Sequence, residues 1–223
     1  MCHNTSCFIR KNFFPEWTSI VEKEKSQATY RKGYSVFEQG MPATGLFFVH
    51  KGLIREYVAG SGDKMDIFRF VKAGEIFGHT LINNNYSVSA EAKVDSSVCF
   101  FENRAVYELY KFNPRSAYDF MLFYSHEHSE FVHRLRSITK MGLRQKIASV
   151  LYYLYRHYGI NTEKELPDCF NREDIAGLAM TTAEQVSRQL SDFEEEKLIE
   201  KRARKIAIMQ PSKLKAIIKD NIA

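Results

Sequence analysis

The sequence predicts an α+β chain: a β-roll at the N-terminal end, a long helix in the middle, and a helical unit with a short hairpin at the C-terminal end. Three observations predict it. Glycine-punctuated β-rich segments fill residues 29–101, a heptad apolar period runs from Ala117 to Gly142, and two closely joined helices precede a hairpin pattern after Phe170. The expected division is 1–113 for the roll, 114–141 for the helix and 142–223 for the C-terminal unit.

The roll rests on Ser35-Val36-Phe37, Leu46 to Val49, Leu53 to Val58, Asp66 to Phe70 and Ser97 to Phe101, all rich in β-branched and aromatic residues. Gly40, Gly45, Gly52, Gly74 and Gly78 lie between them and supply the turns of a compact barrel or jelly-roll. Gly60-Ser61-Gly62-Asp63-Lys64 reads as a hairpin tip.

After Asn113-Pro114 the period changes. Ala117, Met121, Tyr124, His128, Phe131, Leu135, Ile138 and Gly142 are spaced by alternating fours and threes, the seam of a helix packed along a partner helix. A small roll offers little to cover about seven helical turns. A parallel self-dimer is therefore expected, with Met121, Tyr124, His128, Phe131, Leu135 and Ile138 as its seam. A helix lying on its own domain is the alternative.

The C-terminal unit carries the most specific signal. Asn171 can cap a helix that buries Ile175, Leu178 and Ala179. Thr181 or Thr182 can cap the next, with Glu184 or Gln185 completing a capping box. That second helix buries Val186, Leu190 and Phe193 and presents Glu184, Ser187 and Arg188 on another face. An arginine fork fits guanine and a glutamate accepts from cytosine, so the pair suits major-groove reading. Leu198 to Ile208 then places Lys201, Arg202, Arg204 and Lys205 around a turn between apolar stretches: a basic wing suited to phosphate. This is a winged helix-turn-helix. With Arg172 at the start of its first helix, it implies double-stranded DNA as partner.

Composition is compatible and decides little. The chain has 223 residues, 44% of them hydrophobic and 26% charged, with a net charge of +5 spread evenly over both halves. No apolar run approaches the ~18 residues of a membrane span, so no membrane partner is expected. Met1-Cys2-His3-Asn4-Thr5 shows no basic leader ahead of an apolar block, and a cytoplasmic protein is expected. Cys2, Cys7, Cys99 and Cys169 are scattered, unlike a disulfide framework.

These motifs resemble the family of the cyclic-AMP receptor protein and the fumarate-nitrate reduction regulator (CRP/FNR) over roughly residues 29–211. The ordered set is Gln39-Gly40, Gly45-Leu46-Phe47-Phe48-Val49 with Lys51-Gly52, Gly74-Glu75-Ile76-Phe77-Gly78, Asn113-Pro114, and Arg172 to Arg188. The resemblance implies a cyclic-nucleotide-binding-like roll that senses an effector, a dimerisation helix and a DNA-binding unit. It also implies RNA polymerase as a candidate partner. Glu184-Gln185-Val186-Ser187-Arg188 is similar to the fumarate-nitrate branch and implies TTGAT-like half-sites. Met180 and Ala203 stand where the family commonly has glycine, so the turn between the helices is expected to persist with adjusted geometry.

The cyclic-AMP site looks degenerate. Where the nucleotide-binding members carry a glutamate after the Gly78-like glycine and an arginine about ten residues on, this chain has His79 and Val88, next to Ser89. Phe131-Val132 replaces the Thr-Ser pair that contacts the base. A buried phosphate without its arginine is strongly disfavoured. The expectation is an effector other than cyclic AMP, or none. No cofactor is predicted: two N-terminal cysteines poorly fit a four-thiolate iron–sulfur site, and His79 is a lone haem candidate.

An enzyme of the cupin type would need a His-x-His pair on a strand. The pair present, His126-Glu127-His128, lies in the heptad helix, where an offset of two points the rings apart. No nucleophile elbow, P-loop or dinucleotide fingerprint occurs. A nucleotide-binding module without DNA activity would not need the Thr182–Arg188 helix or a basic wing.

Overall fold

A computed structural model of the chain describes residues 23–60, 64–78, 84–112, 114–203 and 205–219. His79, Arg204, Cys2, Cys7 and most of the expected hairpin tip lie outside the described residues. Two compact units part between His128 and Ser129, within the long helix.

In the first unit, strands β1 (Ser26–Tyr30), β8 (Ser96–Glu102), β3 (Gly45–Lys51) and β6 (Ile76–Phe77) form one four-stranded sheet in that order. Strands β2 (Ser35–Phe37), β7 (Ser89–Ala92), β4 (Leu53–Ala59) and β5 (Met65–Lys72) form the other. The roll is thus the expected one, with β1 starting earlier and β6 and β7 added to the strands legible in the sequence.

Alternation along the strands sends one face of each inward. Phe37, Phe47, Val49, Ile54, Val71, Phe77, Tyr86, Ala90, Ala92 and Val98 form one buried cluster. Its aromatic rings fill the interior: Phe37 stacks on Tyr86 with centroids 3.9 Å apart, and Phe47 lies 5.2 Å from Phe77 and 4.7 Å from Phe100. Gly78 is fixed by this packing. Its φ is +70°, and a Cβ there would stand 2.8 Å from the Phe47 ring and 2.9 Å from the Phe37 ring.

A second cluster, Leu46, Phe48, Ile76, Cys99, Phe101, Val106 and Phe120, joins the roll to α1 (Asn103–Phe112) and the start of α2 (Pro114–Lys140). Cys99 is a buried core residue there. Phe123 and Tyr124 also pack against this cluster, and burial pushes the Tyr124 phenol well above its ordinary pKa. Tyr124 therefore faces its own roll, which corrects its assignment to the seam.

The second unit contains the end of α2 and then α3 (Leu143–Tyr158), α4 (Arg172–Ala179), α5 (Ala183–Glu195), the hairpin β9 (Ile199–Arg202) with β10 (Lys205–Ile208), and α6 (Pro211–Lys219). Helix α3 supplies the spine, burying Ile147, Ala148, Val150, Leu151 and Leu154. Gly142 does not continue the seam: α2 ends at Lys140, and Gly142 caps α3, its N–H donating to the Gln145 side chain at 3.1 Å. A glycine here fits a helix break better than a packing position.

Candidate nucleic-acid interface

The two helices of the C-terminal unit are capped as their sequence dictates. Asn171 accepts from the Asp174 N–H at 2.9 Å, and the Asp174 carboxylate accepts from the Asn171 N–H at 2.8 Å, a reciprocal box. Thr182 caps α5 by accepting from the Gln185 N–H at 3.3 Å, and the Thr181 hydroxyl bonds the Gln185 side chain. Ile175, Leu178, Ala179, Val186, Leu190 and Phe193 are all at most 1% exposed, so both helices are anchored by buried apolar faces.

The turn between them departs from expectation. Met180 adopts the left-handed region itself, φ 50° and ψ 55°, rather than an adjusted geometry. Its N–H reaches the Ala176 and Gly177 carbonyls, and the Thr181 N–H bonds Ala176 at 3.0 Å. These bonds offset a left-handed cost of about 1–2 kcal/mol, and the exposed side chain meets no obstacle. Ala203 in the wing turn does the same, with φ 52°.

Arg134, half-buried on α2, carries no motif in the sequence that marks it. Its guanidinium donates to the Leu178 carbonyl at 3.0 Å, placing a cation at the C-terminal end of α4. It braces the turn that aims α5.

On α5, Glu184 and Arg188 project into solvent, 75% and 76% exposed, and pair with each other at 2.6 Å. Gln185 is exposed beside them. Ser187 sits deeper than expected: it is half-buried, donates to the Ala183 carbonyl at 2.8 Å, and lies 3.5 Å from the Arg172 guanidinium.

The wing forms, with Lys205 opposite Arg202 and Ile208 opposite Ile199. Its charge differs from the expected free basic turn. Lys201, Arg202 and Lys205 lie on the strands themselves and are matched by carboxylates: Lys201 with Glu194 at 2.9 Å, Arg202 with Glu200 at 2.8 Å, and Lys205 with Glu165 at 2.9 Å. These acids come from α5, the neighbouring strand position and the 159–171 loop, pairings that composition alone does not show.

In the roll, the residues expected around a degenerate effector site fall as follows. Gly78 is buried, and its N–H donates to the Glu56 carboxylate at 3.3 Å. Ser89 is buried and accepts from the Gln39 N–H at 3.0 Å, while Val88 packs against the inner aromatic cluster. Phe131 belongs to the second unit. A buried ion pair, unread in the sequence, stands beside Gly78: Arg69 on β5 donates to Glu56 on β4 at 2.6 Å and to Glu127 on α2. Opposite charges at inward positions of two apolar strands were its legible signal.

Comparison with known proteins follows the same two-part division. Residues 27–113 match the family model for the cyclic nucleotide-binding domain, and residues 145–217 match that for the Crp-like helix-turn-helix domain. The chain belongs to the CRP/FNR family. It is a transcription regulator with a helix-turn-helix DNA-binding domain. This CRP/FNR regulator is similar to electron transport regulator A of Shewanella oneidensis, 25% identical over 223 residues, covering 96% of this chain and 88% of that relative. It is also similar to the nitrogen fixation regulation protein FixK of Rhizobium meliloti, 29% identical over 191 residues, covering 85% and 86%. Among solved structures, a CooA mutant from Carboxydothermus hydrogenoformans shares its fold, with TM-score 0.79, 21% identity and 98% of each chain covered. Among the described residues, no helix is long and apolar enough to cross a membrane.

Proposed function

We propose that this CRP/FNR regulator acts as a cytoplasmic homodimer that reads an inverted repeat with TTGAT-like half-sites, with no enzymatic activity of its own. The observation that carries the reading is the exposed Glu184–Arg188 pair on a helix whose opposite face is locked into the unit. Phosphate contacts position the protein, and these two side chains select bases. RNA polymerase is the candidate second partner. A mobility-shift titration tests the reading: a duplex with two TTGAT half-sites in inverted orientation should shift at far lower protein concentration than a scrambled duplex. Equal affinity for both would refute it.

The dimer proposal is supported by the exposed apolar side chains of α2. Tyr118, Met121 and Leu122 in the first unit, and Phe131, Val132 and Leu135 in the second, are each 38–60% exposed. Leu122 and Val132 join the seam in place of Tyr124 and Gly142, and half-buried Ile138 and exposed His128 flank it. Burying each large apolar side chain contributes roughly 1.5–3 kcal/mol. Val132→Glu combined with Leu135→Glu should therefore yield a monomer in sedimentation, whereas the unmutated protein sediments as a dimer at micromolar concentration. A dimeric double variant would place the interface elsewhere.

The effector is proposed to be other than cyclic AMP, or absent. A nucleotide phosphate brought to Gly78 would meet the Glu56–Arg69–Glu127 cluster, whose two carboxylates outnumber its one cation, and like charges in a poorly hydrated interior repel. The rings of Phe37, Phe47, Phe77 and Tyr86 pack against one another inside the roll, and Phe131-Val132 stands where the nucleotide-binding members carry the Thr-Ser pair that contacts the base. Calorimetric titration with cyclic AMP should give no saturable heat at low micromolar ligand. Saturable binding that also tightens DNA binding would overturn this. Neither haem nor an iron–sulfur cluster enters the proposal, since lone His79 and two N-terminal cysteines poorly suit either.

A further inference from the structure

The wing of a DNA-binding unit is expected to offer free positive charge. Here three described cations face four carboxylates within 4.0 Å, because Glu165 also reaches Arg202 at 3.5 Å and Asp168 reaches Lys205 at 3.5 Å.

Glu165 differs from the other acids. Its side chain is 4% exposed, against 47% for Glu200, 37% for Glu194 and 74% for Asp168. It is also tethered. The Asn161 side chain donates to its carboxylate at 2.9 Å and accepts from its N–H at 2.8 Å, and its backbone bridges to Ala207 of β10. An exposed glutamate can swing into water when its lysine moves to another partner. Glu165 cannot. The hydrogen bond from Lys205, then that from Asn161, holds its carboxyl below the usual carboxylate range, so it is ionised at neutral pH. When Lys205 or Arg202 turns toward a phosphate, this fixed anion either stays beside the phosphate and repels it, or loses its counter-charges where water reaches it poorly.

We propose that Glu165 is a specificity-determining residue: a fixed internal anion that withholds Arg202 and Lys205 from DNA phosphate. It weakens binding to random sequence, which rests on phosphate contacts alone, more than binding to the repeat, which Glu184 and Arg188 also hold through base contacts. The inference rests on the DNA-reading function above. A purely structural role predicts the opposite sign, because a strut that aims the two cations at DNA would lose affinity when its charge is removed.

The test is Glu165→Gln, which keeps the size of the side chain and an acceptor for Asn161 but removes the charge. Fluorescence anisotropy of the full-length protein is measured against a random-sequence duplex and the TTGAT inverted repeat over a salt series. The variant should bind random duplex several-fold more tightly. Its logarithmic salt slope should steepen by about 0.9 for each phosphate newly contacted, and the ratio of specific to random affinity should fall. Unchanged or weaker random binding, or a flatter slope, overturns the proposal. If Glu165→Gln melts at lower temperature, Glu200→Gln carries the test: it releases Arg202 from an exposed partner at 2.8 Å and should shift random binding the same way by less. A tie or loss there is equally fatal. An unmutated protein with no preference for the repeat would sink the DNA-reading function itself, whereas a preference that Glu165→Gln leaves untouched sinks this inference alone.

Discussion

Replacing Arg69 with methionine should destabilise the β-roll by roughly 3–5 kcal/mol, the cost of leaving a buried charge without its partner. Each guanidinium nitrogen is engaged: Nε with Glu56, Nη1 with Glu127, and Nη2 with the Ile76 carbonyl at 2.7 Å. Burial alone would lower the arginine pKa, and the Glu56 and Glu127 charges more than offset it. Arg69 thus stays protonated between two carboxylates. Glu127 shows the converse: burial pushes its pKa up, only partly opposed by Arg69. Without the arginine, two neighbouring acids and a carbonyl lose their donor in a setting where Glu56 is 4% exposed. Urea unfolding of Arg69→Met should show this loss, and adding Glu56→Gln should recover part of it, because removing both charges is milder than removing one. A loss below about 1 kcal/mol would mean that solvent reaches the pair and that the network is not structural.

Arg188→Ala should leave stability almost untouched while costing about 1–3 kcal/mol of DNA binding per half-site. The free-protein ion pair with Glu184 is exposed at both ends, and such surface pairs contribute little to folding. In the complex Arg188 exchanges that partner for a base, where a bidentate contact discriminates strongly. A dimer carries two such contacts, so the loss compounds over both half-sites. Thermal melting should coincide with that of the unmutated protein while affinity for the inverted repeat falls. Affinity for random duplex should change far less, because phosphate contacts are retained. Equal losses on both duplexes would make Arg188 a phosphate contact and not a reader.

Local signals were legible, and long-range ones were not. Asn171, Thr182 and the Val186, Leu190, Phe193 spacing announce two capped amphipathic helices because capping and helical period act within a few residues. Strand β7, Ser89-Ala90-Glu91-Ala92, is not legible in the sequence because its residues have weak strand propensity. It is a strand because it fits between β2 and β4, with its two alanines buried inward. The heptad count mixed two faces of α2: Tyr124 serves the roll while Leu122 and Val132 are exposed, and an alternating four-three spacing cannot separate them. The wing was legible as a hairpin, but not its neutralisation. Glu165 and Glu194 come from segments 40 and 7 residues away from the lysines they meet, and only the fold brings them there.

The most direct test of the central claim is selection of bound sequences from random duplex DNA by the unmutated protein and by Arg188→Ala. The account predicts that the unmutated protein enriches an inverted repeat of TTGAT-like half-sites centred about one helical turn apart. Arg188→Ala should enrich the same repeat with its guanine preference relaxed. Enrichment of no sequence, of a direct repeat, or of an identical motif by both proteins would contradict it.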